Sequence, residues 1–196
     1  MFELADDADE PSVVARWTRS LDDDFGVADT LDVISREGVR YRVFLLYSSL
    51  QIDLSFWPRE LFRATENGFR LVFGQANEPT RSPEPASEQT IGMAWLYALH
   101  ARSAIARERT WQAVTMLDEL RDQIITLLCR RHGLNPWHGR EVDRLPAPDL
   151  EALRAARATS VDLTELERSR QALLRQYLTA VEHHDAKRAA ALRRAL

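Results

Sequence analysis

Leu50-Gln51-Ile52-Asp53-Leu54-Ser55-Phe56 decides how this chain is read. Leu50, Ile52, Leu54 and Phe56 fall on one side of a period-two pattern, and Gln51, Asp53 and Ser55 fall on the other. The stretch follows a second strand-like run, Val39 to Leu46, after the short polar break Tyr47-Ser48-Ser49. Two β runs joined so tightly read as an antiparallel hairpin. Aspartate is depleted in strands, so Asp53 asks for a reason. One reading is a solvated sheet face. The other is a metal-binding or proton-accepting carboxylate on a cleft-facing strand.

Upstream of the hairpin, Pro11 and Ser12 open a helix running to about Asp24, with Val13, Val14, Trp17 and Leu21 as its apolar stripe. Asp29 to Ile34 reads as a short strand. Downstream, Pro58 stops the second hairpin strand because it cannot donate to a ladder. Phe69 to Gly74 reads as one more short strand. Residues 77–87 carry Pro79, Pro83 and Pro85 among Ser and Glu, which marks a linker. Everything after it has helical spacing: about Glu88 to Arg107, Thr110 to about Arg131, Leu150 to Ala158, a long helix to His183 starting at Asp162 with Glu165, and a final Ala/Arg helix. The expected organisation is α+β: a sheet domain over 1–78, a linker over 79–87, and an all-helical bundle over 88–196.

Composition excludes several classes. With 45% hydrophobic and 29% charged residues over 196 positions, the chain is neither disordered nor too short for a core. A net charge of −4 argues against non-specific nucleic-acid binding. Cys129 is the only cysteine, so no disulfide framework or thiolate cluster is expected. No apolar run approaches the roughly 20 residues of a membrane span, and the start lacks the pattern of a signal peptide, so a cytoplasmic protein is expected. Trp95, Trp111 and Trp137 read as packing residues rather than a stacking platform. His183 and His184 are helix neighbours that do not face each other, and make a poor metal pair.

Several stretches together resemble the kanamycin- and lincosamide-type nucleotidyltransferases of the DNA polymerase β superfamily. They are Leu50 to Pro58, Phe69 to Gly74, Met93-Ala94-Trp95-Leu96-Tyr97, Arg109 to Ala113, Leu117 to Asp122, and Arg131-His132-Gly133-Leu134-Asn135. The resemblance covers about Leu4 to His184. It implies a nucleotidyltransferase mixed sheet with flanking helices before a helical domain, Mg²⁺ with ATP or another NTP, and transfer of a nucleoside monophosphate to a hydroxyl of a small aminoglycoside- or lincosamide-like acceptor.

Such transfer needs two divalent cations about 3.5–4 Å apart, held by several carboxylates. The family supplies an Asp-x-Asp pair on a strand after a Gly-Ser turn, and a third carboxylate from a neighbouring strand. Asp53 matches the third, as a metal ligand and catalytic group. No Gly-Ser turn or Asp-x-Asp strand lies upstream of it. Asp7-Ala8-Asp9 has the letters without strand residues around them, and Met1-Phe2-Glu3-Leu4 resembles the residues just after the family's pair. The chain is therefore expected to start immediately downstream of the catalytic motif and to be impaired. A missed start codon, a truncated gene and a domain that has lost catalysis all fit.

The resemblance also offers Glu119 and Asp122 as general bases, and Arg42 and Arg70 as triphosphate contacts. Solvated helix faces and surface arginines are the alternatives. A sheet lacking the motif strands would have an uncovered edge, which is expected to leave the protein marginal, a homodimer through that edge, or poorly soluble. The rival function is a non-catalytic binding or antitoxin-like module that uses the helical domain to contact a partner.

Overall fold

The computed structural model describes residues 1–65, 68–79 and 87–196. The chain divides into two compact units, Met1–Pro83 and Glu84–Leu196. Residues 80–86 of the expected linker lie outside the described residues.

The first unit is a mixed sheet with one helix on it. Strands β1 (Phe2–Glu3), β2 (Val27–Ile34), β3 (Arg40–Leu46) and β4 (Gln51–Trp57) lie in the order β1-β4-β3-β2. β2, β3 and β4 form an antiparallel meander, and β1 adds a parallel edge. The hairpin is as the alternation predicts. Its turn closes with Leu46 N–H donating to Leu50 C=O at 2.9 Å, and Ser49 turns the chain at φ 65°. Helix α1 (Glu10–Phe25) starts where the Asp9 carboxylate accepts the Ser12 N–H at 3.1 Å, with Pro11 in the first turn. It stops at Gly26, whose φ of 69° lets its N–H reach back to Asp22 C=O.

Strand parity sorts the sheet into two faces. Phe44 and Leu46 of β3 face α1 and pack with Leu21, joined by Ile52 and Leu54 of β4. On the opposite face, Val39 and Trp57 are covered by Phe62, with Tyr41 and Phe69 around them. Arg63 stands over the Trp57 ring at 5.7 Å and pairs with Glu37 at 2.7 Å. The rest of that face, with Leu31 (60% exposed), Val33, Val43, Leu45 and Asp53, is left uncovered to a large extent.

One expectation for this unit needs correction. Phe69 to Gly74 is not a strand. Only Phe69 finds a surface, edge-on to Phe62 at 6.1 Å, while Val72 and Phe73 are each 84% exposed. A run with no half-buried face to lie on gains nothing from β propensity. Conversely, β1 was not foreseen, because two residues carry no readable period.

The second unit is all helical: α2 (Ser87–Ala106), α3 (Thr110–Arg131), α4 (Ala147–Ala156), α5 (Leu163–His184) and α6 (Ala186–Ala195). The buried stripe of α2 is Ile91, Ala94, Ala98, Ala101 and Ala104. Alanines let a neighbouring helix approach closely, and the core places Ala113, Leu117, Leu120 and Ile124 of α3 in the same cluster. Tyr177 of α5 is fully buried and donates its hydroxyl to Ile91 C=O at 2.9 Å. Burial pushes its pKa up to about 12. At the start of α5, Glu165 does not complete a capping box. It accepts from Thr159 N–H and Oγ1 and pairs with Arg168 instead. Trp111 and Trp137, read as packing residues, are 74% and 63% exposed, and Trp137 stacks on His138 with ring centroids 4.5 Å apart.

No helix is long and apolar enough to cross a membrane among the described residues.

Candidate functional site

Asp53 sits midway along β4, directly across from Val43. Its carboxylate is solvent-exposed and accepts both contacts of the Gln51 amide, at 2.9 Å to Oδ1 and 3.0 Å to Oδ2. Around it the uncovered sheet face is aliphatic, with Leu31, Val33 and Leu45 on the neighbouring strands.

The edge beside it is free. In the β3–β4 ladder the Leu46–Leu50 bond starts an alternation in which Ile52, Leu54 and Phe56 exchange hydrogen bonds with β3. The backbone N–H and C=O of Gln51, Asp53 and Ser55 therefore point away from β3. Trp57 C=O points the same way and accepts Leu4 N–H at 2.8 Å. β1 pairs with β4 only at Phe56 and Trp57, so among the described residues Gln51 to Leu54 have no strand on that side.

Arg42 is not on Asp53's side. It lies across from Leu54 on the α1 face, where Nε and NH2 make 2.6 Å bonds to Asp32 and NH1 donates to Thr18. Strand alternation assigns it to the same side as Phe44 and Leu46. Arg70 is exposed in irregular chain. Neither guanidinium joins Asp53 in a cluster.

Glu119 and Asp122 belong to α3 in the second unit. Both are exposed. The Tyr97 hydroxyl hydrogen-bonds Glu119, and its pKa is raised by burial first and by that carboxylate second. Asp122 is 3.3 Å from Arg121, which also holds Asp118 at 2.7 Å. Asp118 and Asp122, one turn apart on α3, thus share the charge of Arg121. Asp118 and Arg121 line an open cleft of about 400 Å³ with Thr159, Ser160 and Ser169.

The residues present do not fit a two-metal centre. No group of three or more His, Cys, Asp or Glu side chains able to hold a metal exists among the described residues. Asp53 brings one carboxylate, already bonded by Gln51. What the arrangement can do as it stands is bind, through an apolar sheet face with one negative charge and a free strand edge.

No family model matches the chain, and no curated protein matches it. Among solved structures it is similar to an aminoglycoside 6-adenyltransferase from Bacillus subtilis, at 11% identity, over 80% of this chain and 70% of that one, with a TM-score of 0.44.

Proposed function

We propose that this chain is a nucleotidyltransferase-type protein in which Asp53 works with a carboxylate-bearing strand on the free side of β4. The observation that supports this is the register of β1 on β4. Phe2 stands beside Phe56 in parallel pairing. Stepping back three residues on both strands brings the second residue ahead of Met1 beside Asp53. Neighbours in a parallel pair share a face, and alternation adds the fourth residue ahead of Met1 to it. A strand running on in this register would fill the free edge and could set an Asp-x-Asp pair against Asp53. That is the arrangement the sequence resemblance implies. The acceptor, by the same resemblance, is a small hydroxylated molecule of the aminoglycoside or lincosamide kind, and the donor an NTP with Mg²⁺.

The test begins with the DNA ahead of Met1. An in-frame Gly-Ser turn and Asp-x-Asp pair in this register, with transfer from ATP by the extended protein that Asp53→Asn abolishes, is the expected result. Stop codons there, or a frame without paired carboxylates, would contradict it.

A second reading is favoured by one observation, the exposed aliphatic face around Asp53. A non-catalytic module, or a homodimer joined through the β4 edge, would cover it. Size-exclusion chromatography separates the two, since a stable monomer that gains transfer activity on extension leaves no place for this one.

A further inference from the structure

The helical unit holds a second open cleft of about 360 Å³ between α3, α4 and α5. Its walls are Leu128 with a set of alanines, among them Ala155 and Ala172. Small side chains on facing helices are what leave the space open. Arg131 and Arg175 border it from α3 and α5.

Both side chains are exposed at the rim of the cleft, and among the described residues neither is tied to a carboxylate as several other arginines are. Arg40, Arg42, Arg63, Arg121, Arg168 and Arg170 each hold a carboxylate. The guanidiniums of Arg131 and Arg175 have no hydrogen-bond or ion-pair partner among the described residues. A guanidinium presents a planar fork of donors suited to two oxygens of one anion. Two unmatched forks at one cleft favour a ligand with a phosphate or carboxylate.

The same cleft offers acceptors. Asp149 lines it, held by His132 Nε2 at 3.2 Å. Gln176 lines it too, and its Oε1 is buried with no donor. An unmet acceptor at a cavity wall is unfavourable, and a turn of the amide toward a ligand hydroxyl or N–H would satisfy it.

We propose that this cleft binds a small organic anion, with its phosphate or carboxylate held between Arg131 and Arg175 and its hydroxyl or N–H groups turned to Asp149 and Gln176. The site shares no residue with the Asp53 face, so its failure and that of the nucleotidyltransferase reading are separate results.

The test is titration of the full chain with AMP and, separately, with benzoate, read by NMR on the arginine Nε–Hε signals. Saturable shifts at Arg131 and Arg175 are expected with at least one probe by about 10 mM. AMP alone acting assigns a phosphate ligand, and benzoate acting assigns a carboxylate. Arg131→Gln and Arg175→Gln should each weaken binding roughly tenfold. Arg154→Gln, an exposed α4 arginine paired with Glu151, should not. Ala172→Leu, which fills the cleft and keeps both arginines, should also abolish binding in protein whose circular dichroism is unchanged. No saturation with either probe, equal loss in Arg154→Gln, or full binding by folded Ala172→Leu would overturn the proposal.

Discussion

Arg42 grips Asp32 across the β2–β3 ladder with two parallel bonds, Nε to Oδ1 and NH2 to Oδ2, both 2.6 Å. Arg40 reaches the same carboxylate at 2.7 Å and also pairs with Glu10 of α1. The group ties the outer strand, the central strand and the helix together at one point. It also engages the Arg42 guanidinium on the α1 side of the sheet, away from Asp53.

The pair makes stability depend on pH. Arg42's hydrogen bond, the largest cause, holds the Asp32 carboxyl below its usual range, against an opposing effect of burial. A folded-state pKa that is lowered contributes stability present above the unfolded value of about 3.9, and lost as pH falls through the folded value. Asp32→Asn should cost about 1 kcal/mol at pH 7. In urea titrations the gap between wild type and variant should close as the pH drops below about 4. A gap that stays constant to low pH would show that the charge is not what matters.

Tyr177 gives the opposite sign. Its hydroxyl donates to Ile91 C=O inside the helical core, and its pKa is raised to about 12. The stabilisation is complete below the unfolded value of about 10 and is lost as pH rises through the folded one. An ultraviolet titration should find one of the four tyrosines ionising last, near 12. Tyr177→Phe should remove that step and lower stability by about 1 kcal/mol through the lost hydrogen bond. All tyrosines titrating together near 10 would refute the buried placement.

The alanine seam of α2 can be tested by overfilling it. Ala98 is 2% exposed in the core that includes Leu117 and Leu120 of α3. Ala98→Leu should destabilise by about 1–3 kcal/mol in urea melts. Ala190→Leu, at an exposed position of α6, should change stability by no more than about 0.5 kcal/mol. Similar midpoints for the two variants would mean the helices are not closely packed there.

How much of this was legible in the sequence depended on the period of each segment. The hairpin followed from strict alternation at Ile52, Leu54 and Phe56, and the long helices from recurring Leu and Ile in α3 and α5. The α2 stripe is hard to read because its buried positions are mainly alanines, which close helix approach selects and which carry little hydrophobic signal. Phe69 to Gly74 had strand composition and no face to cover. Arg42's side was readable, since it is in phase with Phe44 and Leu46. The cleft arginines were not, because Arg131 and Arg175 meet only through the packing of α3, α4 and α5. Glu119 and Asp122 lie on one helix, as its period predicts.

The free edge of β4 carries the functional reading, and hydrogen exchange at single amides reports on it. In the 196-residue chain, Ile52 and Leu54 should be protected by β3, while the Gln51 and Asp53 amides, aimed at the empty side, should exchange close to the rate of open chain. In a protein extended ahead of Met1 by a strand in the β1 register, Asp53 should become protected by that strand. Slow exchange at Asp53 in the monomeric 196-residue protein, or an unchanged fast rate in an extended protein that is active, would contradict the proposed pairing.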